Sequence, residues 1–328
     1  MKNFKALRVS EHDGEIVHQI ETVTREDLHD GDVLVKVHYS SLNYKDMLAV
    51  QAKGGVIRSY PMIPGIDFAG VVEESSSDQF KEGQEVIVTG FGTGVSHTGG
   101  LAEYAQVPSE WIVPLPQGLS LKDSMVIGTA GFTAALSIEK LEQAGLKGHK
   151  DARILVTGST GGVGSIALQM LKKAGYQNVS ALVRKDYQVE VAEKLGADQV
   201  LFPDDIQAKA RGLAKQAFDY VLDTVGGEVA SMLIPQIQYG GAISMCGNAG
   251  GVNIDSSVFP FILRGVSLLG VDSVQVPIED RPALWQRISQ EWNVANTQLS
   301  QTISLDQVPE SLEKLKAGQH LGRTIVEM

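Results

Sequence analysis

Short stretches in the first 125 residues alternate hydrophobic and polar side chains, and Gly and Pro separate them. A period of two is typical of strands that bury one face. We therefore predict a mostly β domain, partly barrel-like. The stretches with this pattern are VLVKVHYSSL (33–42), FAGVVEE (68–74), QEVIVTG (84–90) and EYAQVP (103–108).

From Ile154 onward, apolar runs of strand length alternate with stretches of helical length. This alternation predicts right-handed βαβ crossovers and a doubly wound parallel sheet, so the fold class is α/β. The predicted strands are ILVTG (154–158), NVSALVR (178–184), QVLF (199–202), FDYVLDTVG (218–226), GAISMCG (241–247) and VSLLGVDS (266–273). The predicted helices are SIALQMLKKAG (165–175), YQVEVAEKLGA (187–197), QAKARGLAKQA (207–217), VASMLIPQIQ (229–238) and FPFILRG (259–265).

The last 50 or so residues contain a polar helix, RPALWQRISQEW (281–292), and an apolar strand, GRTIVEM (322–328). Because the parallel sheet already has six strands, we expect this segment to return to the first domain. The predicted domains are thus 1–125 with 278–328, and 126–277.

Composition excludes several classes of protein. The formal net charge of -11 argues against nucleic acid as a partner, since phosphate binding needs clustered Lys and Arg. A single cysteine, Cys246, rules out an internal disulfide framework. We find no signal-peptide pattern and no apolar run that would cross a membrane, so we expect a cytoplasmic protein.

The glycine-rich segment VTGSTGGVGS (156–165) follows a buried strand and opens a helix. Small residues there let main-chain N–H groups and the positive helix end meet a pyrophosphate. The spacing, G-x-x-G-G-x-G, differs from the usual G-x-G-x-x-G, and a turn that serves packing alone is the alternative. Its place between strand and helix favours dinucleotide binding.

The end of the second parallel strand indicates which dinucleotide binds. Enzymes that use NAD generally carry Asp or Glu there for the ribose hydroxyls, whereas this strand ends in Arg184 and Lys185. A cation at this point suits a 2′-phosphate, so we predict NADPH. The alternative is a solvated pair of cations that Asp186 neutralises.

Zinc ligands are missing from the first domain, because no cysteine precedes Cys246 and the seven histidines form no short-spaced pair. We therefore expect no metal and no simple alcohol oxidation. No Tyr is followed four residues later by Lys, the pair that short-chain reductases use, and there is no G-x-S-x-G motif.

The whole chain resembles the zinc-free medium-chain dehydrogenases/reductases, and within them the acryloyl-CoA reductase and quinone oxidoreductase branch. The resemblance implies a GroES-like catalytic domain, a Rossmann domain that binds NADPH, and a homodimer joined through the nucleotide-binding sheets. Asp67 stands where zinc relatives keep a metal-ligand histidine, and we interpret it as structural. The matching stretches are SSLNYKDMLA (40–49), PMIPGIDFAGVV (61–72), GTAGFTA (128–134), TGSTGGVGS (157–165), DTVGG (223–227), CGNAGG (246–251), PFILRGVSLLGVDS (260–273) and GRTIV (322–326).

The resemblance also implies a set of residues that contact NADPH. Asn248 departs from relatives that often carry an apolar residue there, and we expect it to contact the cofactor through its backbone. Thr129 is a candidate for the nicotinamide or, alternatively, a helix N-cap. The full set is Tyr44, Thr129, Thr160, Gly161, Gly162, Val163, Leu182, Val183, Arg184, Asn248, Ile262, Ser273 and Arg323.

Tyr44 is the predicted catalytic group, with Asn43 and Asp46 orienting it or the nicotinamide. Its hydroxyl would donate a hydrogen bond to cofactor or substrate and relay a proton. The alternative is a tyrosine that packs at a strand end. His97 is a weaker candidate for a general acid, and we interpret Cys246 as a buried apolar residue rather than a nucleophile.

These observations together predict an enzyme that uses NADPH to reduce the double bond of an α,β-unsaturated carbonyl compound, acryloyl-CoA above all. Lys53 and Arg58 are candidates for the phosphates of CoA. Quinone reduction is the alternative within enzymes. A protein that binds NADPH without turnover, as a sensor, is the alternative of another class.

Overall fold

The structure is a computed structural model that describes residues 3–207 and 212–328. The chain divides into two compact units. Unit 1 comprises the described residues up to Thr129, with Ser273–Gln290 and Ala295–Met328. Unit 2 comprises the described residues of Ala130–Asp272, with Glu291–Val294.

Unit 1 is mostly β. Its strands are β1 (Phe4–His12), β2 (Glu15–Val23), β3 (Val33–Ser41), β4 (Asp67–Ser75), β5 (Glu85–Thr89), β6 (Tyr104–Val107), β7 (Ile112–Pro114), β14 (Ser300–Ser304) and β15 (Arg323–Glu327). The helices of this part of the chain are α1 (Tyr44–Ala49), α7 (Arg281–Gln290) and α8 (Val308–Lys316), and α2 (Leu121–Leu141) begins in it.

Strands β1 and β2 form an antiparallel pair, and the other strands of unit 1 form one sheet. The order in that sheet is β14-β15-β3-β4-β5-β7, and β6 also pairs with β3. Strand β15 is antiparallel to β3, with Ile325 opposite Ser41. The last residue of β3 therefore lies beside the start of β15, and the site described below is built there.

Unit 2 is a parallel sheet with helices between its strands. The strands are β8 (Arg153–Val156), β9 (Asn178–Leu182), β10 (Gln199–Leu201), β11 (Phe218–Asp223), β12 (Ile237–Met245) and β13 (Ser267–Gly270). The helices are α3 (Gly162–Lys173), α4 (Tyr187–Lys194), α5 (Gly227–Leu233) and α6 (Phe259–Arg264).

The order of this sheet is β10-β9-β8-β11-β12-β13, and every pair is parallel. In chain order this is 3-2-1-4-5-6, the arrangement of doubly wound dinucleotide-binding sheets. The predicted α/β class, with a mostly β domain and a doubly wound sheet, is confirmed. All six predicted strands of the sheet are present.

One predicted helix of unit 2 is wrong in the part that the structure describes. Of QAKARGLAKQA (207–217), residues 208–211 lie outside the described residues, and 212–217 form no helix. The preceding Pro203–Ile206 is a single 3₁₀ turn, and Gly212 has a φ of 111° that ends any helix.

Hydrophobic side chains fill the interior of each unit. Val35, Phe68 and Val88 belong to one cluster of unit 1, and Leu155, Val221 and Ile243 belong to a cluster of unit 2. Among the described residues, no helix combines the length and the hydropathy that a membrane crossing needs.

Candidate functional site

A group of buried polar residues lies at the end of β3 in unit 1. It joins the loop before α1, the start of β4, the segment after Gly128 and the start of β15. We call it the Asp67 cluster; its members are Ser41, Asn43, Asp46, Asp67, Thr129 and Arg323, each less than a tenth exposed.

Asp67 is the centre of this cluster. Its Oδ1 accepts hydrogen bonds from the Ser41 hydroxyl (2.7 Å) and the Ser41 N–H (3.2 Å). Its Oδ2 accepts from Asn43 Nδ2 (3.0 Å) and from the Thr129 N–H (2.8 Å). A buried carboxylate needs such donors because it has lost its water. Asp67 thus ties together three segments that are distant in sequence.

Arg323 supplies the positive charge of the cluster. Its guanidinium donates to Ser41 Oγ (2.6 Å), Asn43 Oδ1 (3.3 Å) and the Val126 carbonyl (3.0 Å). Burial lowers the pKa of Arg323, while the carboxylates of Asp67 and Asp46 act in the opposite direction. Ser41 connects the two charges, because it donates to Asp67 and accepts from Arg323.

Gly128 is required where α2 passes this cluster. Its φ of 52° and ψ of -161° interrupt the helix. A Cβ there would lie 2.7 Å from both Arg323 Nη2 and Asp67 Oδ2. The break in α2 therefore brings the main chain of Thr129 to Asp67.

Asp46 and Asn43 hold the first turn of α1 from inside. Asp46 Oδ2 accepts from the Asn43 N–H (2.8 Å) and Oδ1 from the Ile66 N–H (3.1 Å). Burial, with a contribution from the charge of Asp67, raises the pKa of Asp46 to about 7. Tyr44, the first residue of α1, is 47% exposed. Of the three predicted catalytic residues, only Tyr44 offers its side chain to a ligand.

The Asp67 cluster does not suit a zinc ion. The Asp67 oxygens already accept four hydrogen bonds, and a guanidinium cation shares Ser41 and Asn43 with them. Zinc sites use thiolate, imidazole and carboxylate ligands. Within residues 3–207 and 212–328, no group of three or more such side chains could hold a metal ion.

The glycine-rich turn of unit 2 runs from β8 into α3. Gly158 has a φ of 56°, and a Cβ on Gly164 would lie 2.3 Å from the Gly158 carbonyl oxygen. These two glycines serve the tight turn and the close approach of the helix. Gly161, just before α3, differs: a Cβ there would meet only Gly158 O within 4 Å, at 3.2 Å. The space beside it suits a pyrophosphate at the helix N-terminus.

Two further loops leave the carboxyl edge of the same sheet. Asp223, at the end of β11, accepts from the Thr157 hydroxyl (2.6 Å) and from the Gly226 N–H (2.8 Å). Burial raises the pKa of Asp223 despite these donors. A Cβ on Gly247 would lie 2.0 Å from Thr224 O, so the loops after β11 and β12 pack backbone to backbone. Ligands of doubly wound sheets bind at this edge.

Arg184 and Lys185 lie exposed where β9 ends. Their N–H groups both donate to Gln188 Oε1, at 2.9 and 3.0 Å. Among the described residues neither side chain forms an ion pair, and Asp186 does not neutralise them; the Lys185 ammonium lies 5.7 Å from the centre of the Tyr187 ring. Two free cations at this point fit the 2′-phosphate of NADPH and leave a bare ribose without a carboxylate partner.

The predicted cofactor residues are divided between the two units. Thr129, Ser273 and Arg323 belong to unit 1, as does Tyr44. Those of unit 2 that lie at the carboxyl edge of the sheet are Thr160, Gly161, Gly162, Val163, Leu182, Val183, Arg184 and Asn248. Ile262 lies on α6 and is 68% exposed. Their contacts with a cofactor stay predictions, and for Arg323 the guanidinium is occupied inside the Asp67 cluster.

His97 and Cys246 are both engaged in structural contacts. The ring nitrogens of His97 lie 3.0 Å from the carbonyl oxygens of Thr98 and Asp30, and the ring packs edge-on against Trp111. Burial raises the pKa of the Cys246 thiol to about 12, and Sγ donates to Asp223 O. A thiol with that pKa is not an activated nucleophile.

Sequence reasoning missed Ser41, Gly128, Asp223 and Gln188 as parts of these sites. Asp223 carried a signal, because it ends a buried strand and precedes Thr-Val-Gly-Gly. The other three carried none that one sequence reveals, because their partners are distant along the chain or belong to the main chain.

Two family models match this chain. One is described as an alcohol dehydrogenase GroES-like domain and matches residues 29–117. The other is described as a zinc-binding dehydrogenase and matches residues 162–290. The matches fall on the mostly β part and on the parallel-sheet part of the chain, respectively.

The chain is similar over nearly its full length to bacterial proteins. It is 38% identical to the acrylyl-CoA reductase AcuI of Ruegeria pomeroyi, with 99% of each chain covered. It is 44% identical to YhfP of Bacillus subtilis, which is assigned by name to the quinone oxidoreductases, again with 99% of each covered.

Solved structures give the same result. A crystal structure of YhfP with NAD bound has a TM-score of 0.96 and covers 100% of both chains. The structure of Escherichia coli K-12 YhdH with bound NADPH has a TM-score of 0.94 and 46% identity. The alignment with YhdH covers 98% of this chain and 99% of that one.

Proposed function

The chain belongs to the medium-chain dehydrogenase/reductase family and is an oxidoreductase, and from this premise we propose that it uses NADPH to reduce the carbon–carbon double bond of an α,β-unsaturated carbonyl compound without zinc. Acryloyl-CoA is the first candidate, because the Ruegeria relative is named for that substrate. The product would be propanoyl-CoA.

The observation that carries the proposal is the pair of free cations at the end of β9, next to the glycine turn. The N–H groups of Gly162 and Val163 would hold the pyrophosphate, while the Gly161 N–H closes the turn on Gly158 O (2.9 Å). Arg184 with Lys185 would hold the 2′-phosphate. When bound, NADPH supplies the hydride that the β-carbon of the substrate receives. That E. coli YhdH was crystallised with NADPH agrees with this assignment.

Residues of the chain must stabilise the charge that develops on the substrate and supply a proton. Reduction at the β-carbon leaves negative charge on the carbonyl oxygen, and the α-carbon then takes up a proton. Tyr44 has an exposed phenol, and we assign to its hydroxyl a hydrogen bond to that oxygen and the relay of the proton. Asn43 and Asp46 position Tyr44 because they fix the first turn of α1.

The absence of zinc in this proposal rests on the Asp67 cluster. The Asp67 carboxylate and the Arg323 guanidinium both form hydrogen bonds with the Ser41 hydroxyl. The Asp67 carboxylate is therefore not available as a metal ligand. The carbonyl oxygen must then be stabilised by hydrogen-bond donors alone.

An acyl-CoA substrate requires cations for its phosphates. Lys53 and Arg58 are exposed in the segment that follows α1, and neither forms an ion pair within the described part of the chain. Quinone reduction is a second candidate, favoured by the name of YhfP. A quinone has no phosphate and would gain nothing from these two cations.

The experiment measures consumption of NADPH or NADH by absorbance, with acryloyl-CoA, other enones and quinones as acceptors. We expect acryloyl-CoA to be reduced much faster with NADPH than with NADH, and free CoA to compete with it. Equal rates with both dinucleotides would contradict the role of Arg184. Turnover of quinones that free CoA leaves unchanged would favour the second candidate, and NADPH binding without any turnover would favour a sensor.

We also propose a homodimer that joins two parallel sheets through β13, in the cytoplasm. Strand β13 is the edge of its sheet, so its outer N–H and C=O groups have no neighbouring strand in the described part of the chain. Several apolar side chains beside it are exposed, which is typical of an interface. They are Val258, Phe259, Ile262, Leu263 and Leu268.

A further inference from the structure

We infer that Gln188 is a positioning residue for the 2′-phosphate: it ties the glycine turn to the loop that carries Arg184 and Lys185, and so determines the preference for NADPH over NADH. This inference rests on the proposed cofactor. Gln188 itself lies on α4 and is half-buried.

The side-chain amide of Gln188 makes three hydrogen bonds. Its Oε1 accepts from the main-chain N–H of Arg184 (2.9 Å) and of Lys185 (3.0 Å). Its Nε2 donates to Thr160 Oγ1 at 2.8 Å. The two N–H donors fix which end of the amide is oxygen, and therefore which end reaches Thr160.

These contacts join two segments that a dinucleotide must reach together. Thr160 lies in the glycine turn beside Gly161, and Arg184 and Lys185 follow β9. A second bridge runs parallel to the first, since the Ser159 hydroxyl donates to the Leu182 carbonyl at 3.0 Å. The main chain on both sides is thus held at a fixed separation.

The contacts also decide where the charged side chains go. With both N–H groups turned toward Gln188, the Arg184 and Lys185 side chains extend into solvent, where both residues are exposed. Without Gln188, the two N–H groups would turn to water, and the loop would take several conformations. Ordering that loop on binding would then cost conformational entropy, and only a ligand with a 2′-phosphate uses the loop.

The experiment compares Gln188→Met, which keeps the length but has no amide, with Gln188→Glu, which keeps the acceptor and adds a negative charge. Gln169→Met is the matched control, because Gln169 is another half-buried helical glutamine, whose Nε2 donates to its own helix at Ser165 O. Dissociation constants are measured by fluorescence titration with NADPH and NADH, and by calorimetry with adenosine 2′,5′-bisphosphate and 5′-AMP.

We expect Gln188→Met to raise the Kd for NADPH and for the bisphosphate about tenfold, with NADH and 5′-AMP changed less than about twofold, on the scale of one or two lost hydrogen bonds. Gln188→Glu should weaken NADPH as well, through charge, and more so at low salt than at high salt. The kcat at saturating NADPH should stay near that of the wild type, and Gln169→Met should match the wild type throughout.

A test in the Arg184→Ala background separates positioning from general structure. If Gln188 acts through this loop, adding Gln188→Met to Arg184→Ala should lower NADPH affinity much less than it does alone. Equal weakening of NADPH and NADH, or an undiminished effect in that background, overturns the inference and leaves the proposed cofactor standing. Wild-type protein that binds both dinucleotides equally overturns both.

Discussion

At the scale of single residues, Asp67 organises the polar interior of unit 1. Its carboxylate accepts hydrogen bonds from Ser41, Asn43 and the main chain of Thr129. Ser41 and Asn43 also accept hydrogen bonds from the Arg323 guanidinium. Two opposite charges are therefore buried with their hydrogen bonds satisfied, which limits the cost of their desolvation. The result is a rigid base for α1, on which Tyr44 is the exposed member.

Tyr44→Phe tests the role of that hydroxyl. We expect kcat with acryloyl-CoA to fall about 100-fold, the lower range for a lost proton-transfer group, while the Kd for NADPH changes little. Steady-state rates and fluorescence titration measure the two quantities. Tyr104→Phe, at a tyrosine that packs edge-on against Phe4, is the control. A Tyr44→Phe enzyme with full turnover would remove Tyr44 from the proton path.

Asp46 should make stability depend on pH. Its pKa is raised to about 7 in the folded protein, mainly by burial, whereas an unfolded chain keeps a value near ~3.9. Between those values the folded state holds a proton that the unfolded state has released, so stability falls as pH rises from about 4 to 7. Asp46→Asn does not titrate and should escape this loss.

Urea unfolding at several pH values measures the effect. Relative to wild type, the free energy of unfolding of Asp46→Asn should rise by roughly 4 kcal/mol between pH 4 and pH 7, at about 1.4 kcal/mol per pH unit. Asp78→Asn, at an exposed aspartate, should run parallel to wild type. Parallel curves for Asp46→Asn would show that its carboxyl is ionised in the folded protein across this range.

At the scale of secondary-structure elements, the turn between β8 and α3 contains some glycines that the fold requires and others that, on our proposal, the ligand requires. A Cβ on Gly164 would lie 2.3 Å from the Gly158 carbonyl oxygen, whereas a Cβ on Gly161 would meet the same oxygen at 3.2 Å and nothing else within 4 Å. Gly164 is thus needed for the packing of the helix, and Gly161, on our proposal, is needed for the ligand.

Two alanine substitutions in this turn should affect different properties, one the stability of the fold and the other the affinity for NADPH. Gly164→Ala places a Cβ 2.3 Å from Gly158 O and should cost about 2 kcal/mol of stability or more. Gly161→Ala, whose Cβ would meet Gly158 O at 3.2 Å, should lower the unfolding temperature much less than Gly164→Ala. It should raise the Kd for NADPH about tenfold or more, because the methyl group holds the pyrophosphate away. Thermal unfolding without cofactor and fluorescence titration measure both. If Gly161→Ala bound NADPH normally, the pyrophosphate would not lie at this position.

The elements that the sequence predicted well are those whose pattern is local. All six strands of the parallel sheet and the glycine turn were found because apolar runs and glycines stand next to each other in the chain. Strand β14 (SQTIS) was missed because it is polar, and pairing with β15 holds it in place. Five members of the Asp67 cluster were named from the sequence, but Ser41 and the contacts that join the cluster were missed for a related reason: Ser41 and Arg323 are 282 residues apart.

At the scale of the whole molecule, the acidic surface and the exposed apolar patch on α6 and β13 call for different partners. The net charge of -11 disfavours polyanions. The apolar patch beside an open sheet edge suits a second copy of the same chain, because two identical strands related by a twofold axis pair antiparallel.

Charges placed on that patch should separate the dimer. Ile262→Glu with Leu268→Glu should shift the mass measured by sedimentation velocity from twice the chain mass to the chain mass, because the added carboxylates would be buried without a cation. Val17→Glu, on the exposed face of β2, is the control and should remain dimeric. A wild-type protein that sediments as a monomer would contradict the proposed assembly.

The position of Arg323 has a consequence for biosynthesis. The ribosome makes Ser41 and Asp67 long before the guanidinium that completes their surroundings, because Arg323 follows Ser41 by 282 residues. Until then the nascent unit 1 must either keep that carboxylate hydrated or bury a charge without its counterpart. The parallel sheet of unit 2, whose strands are all translated before Arg323, meets no such delay.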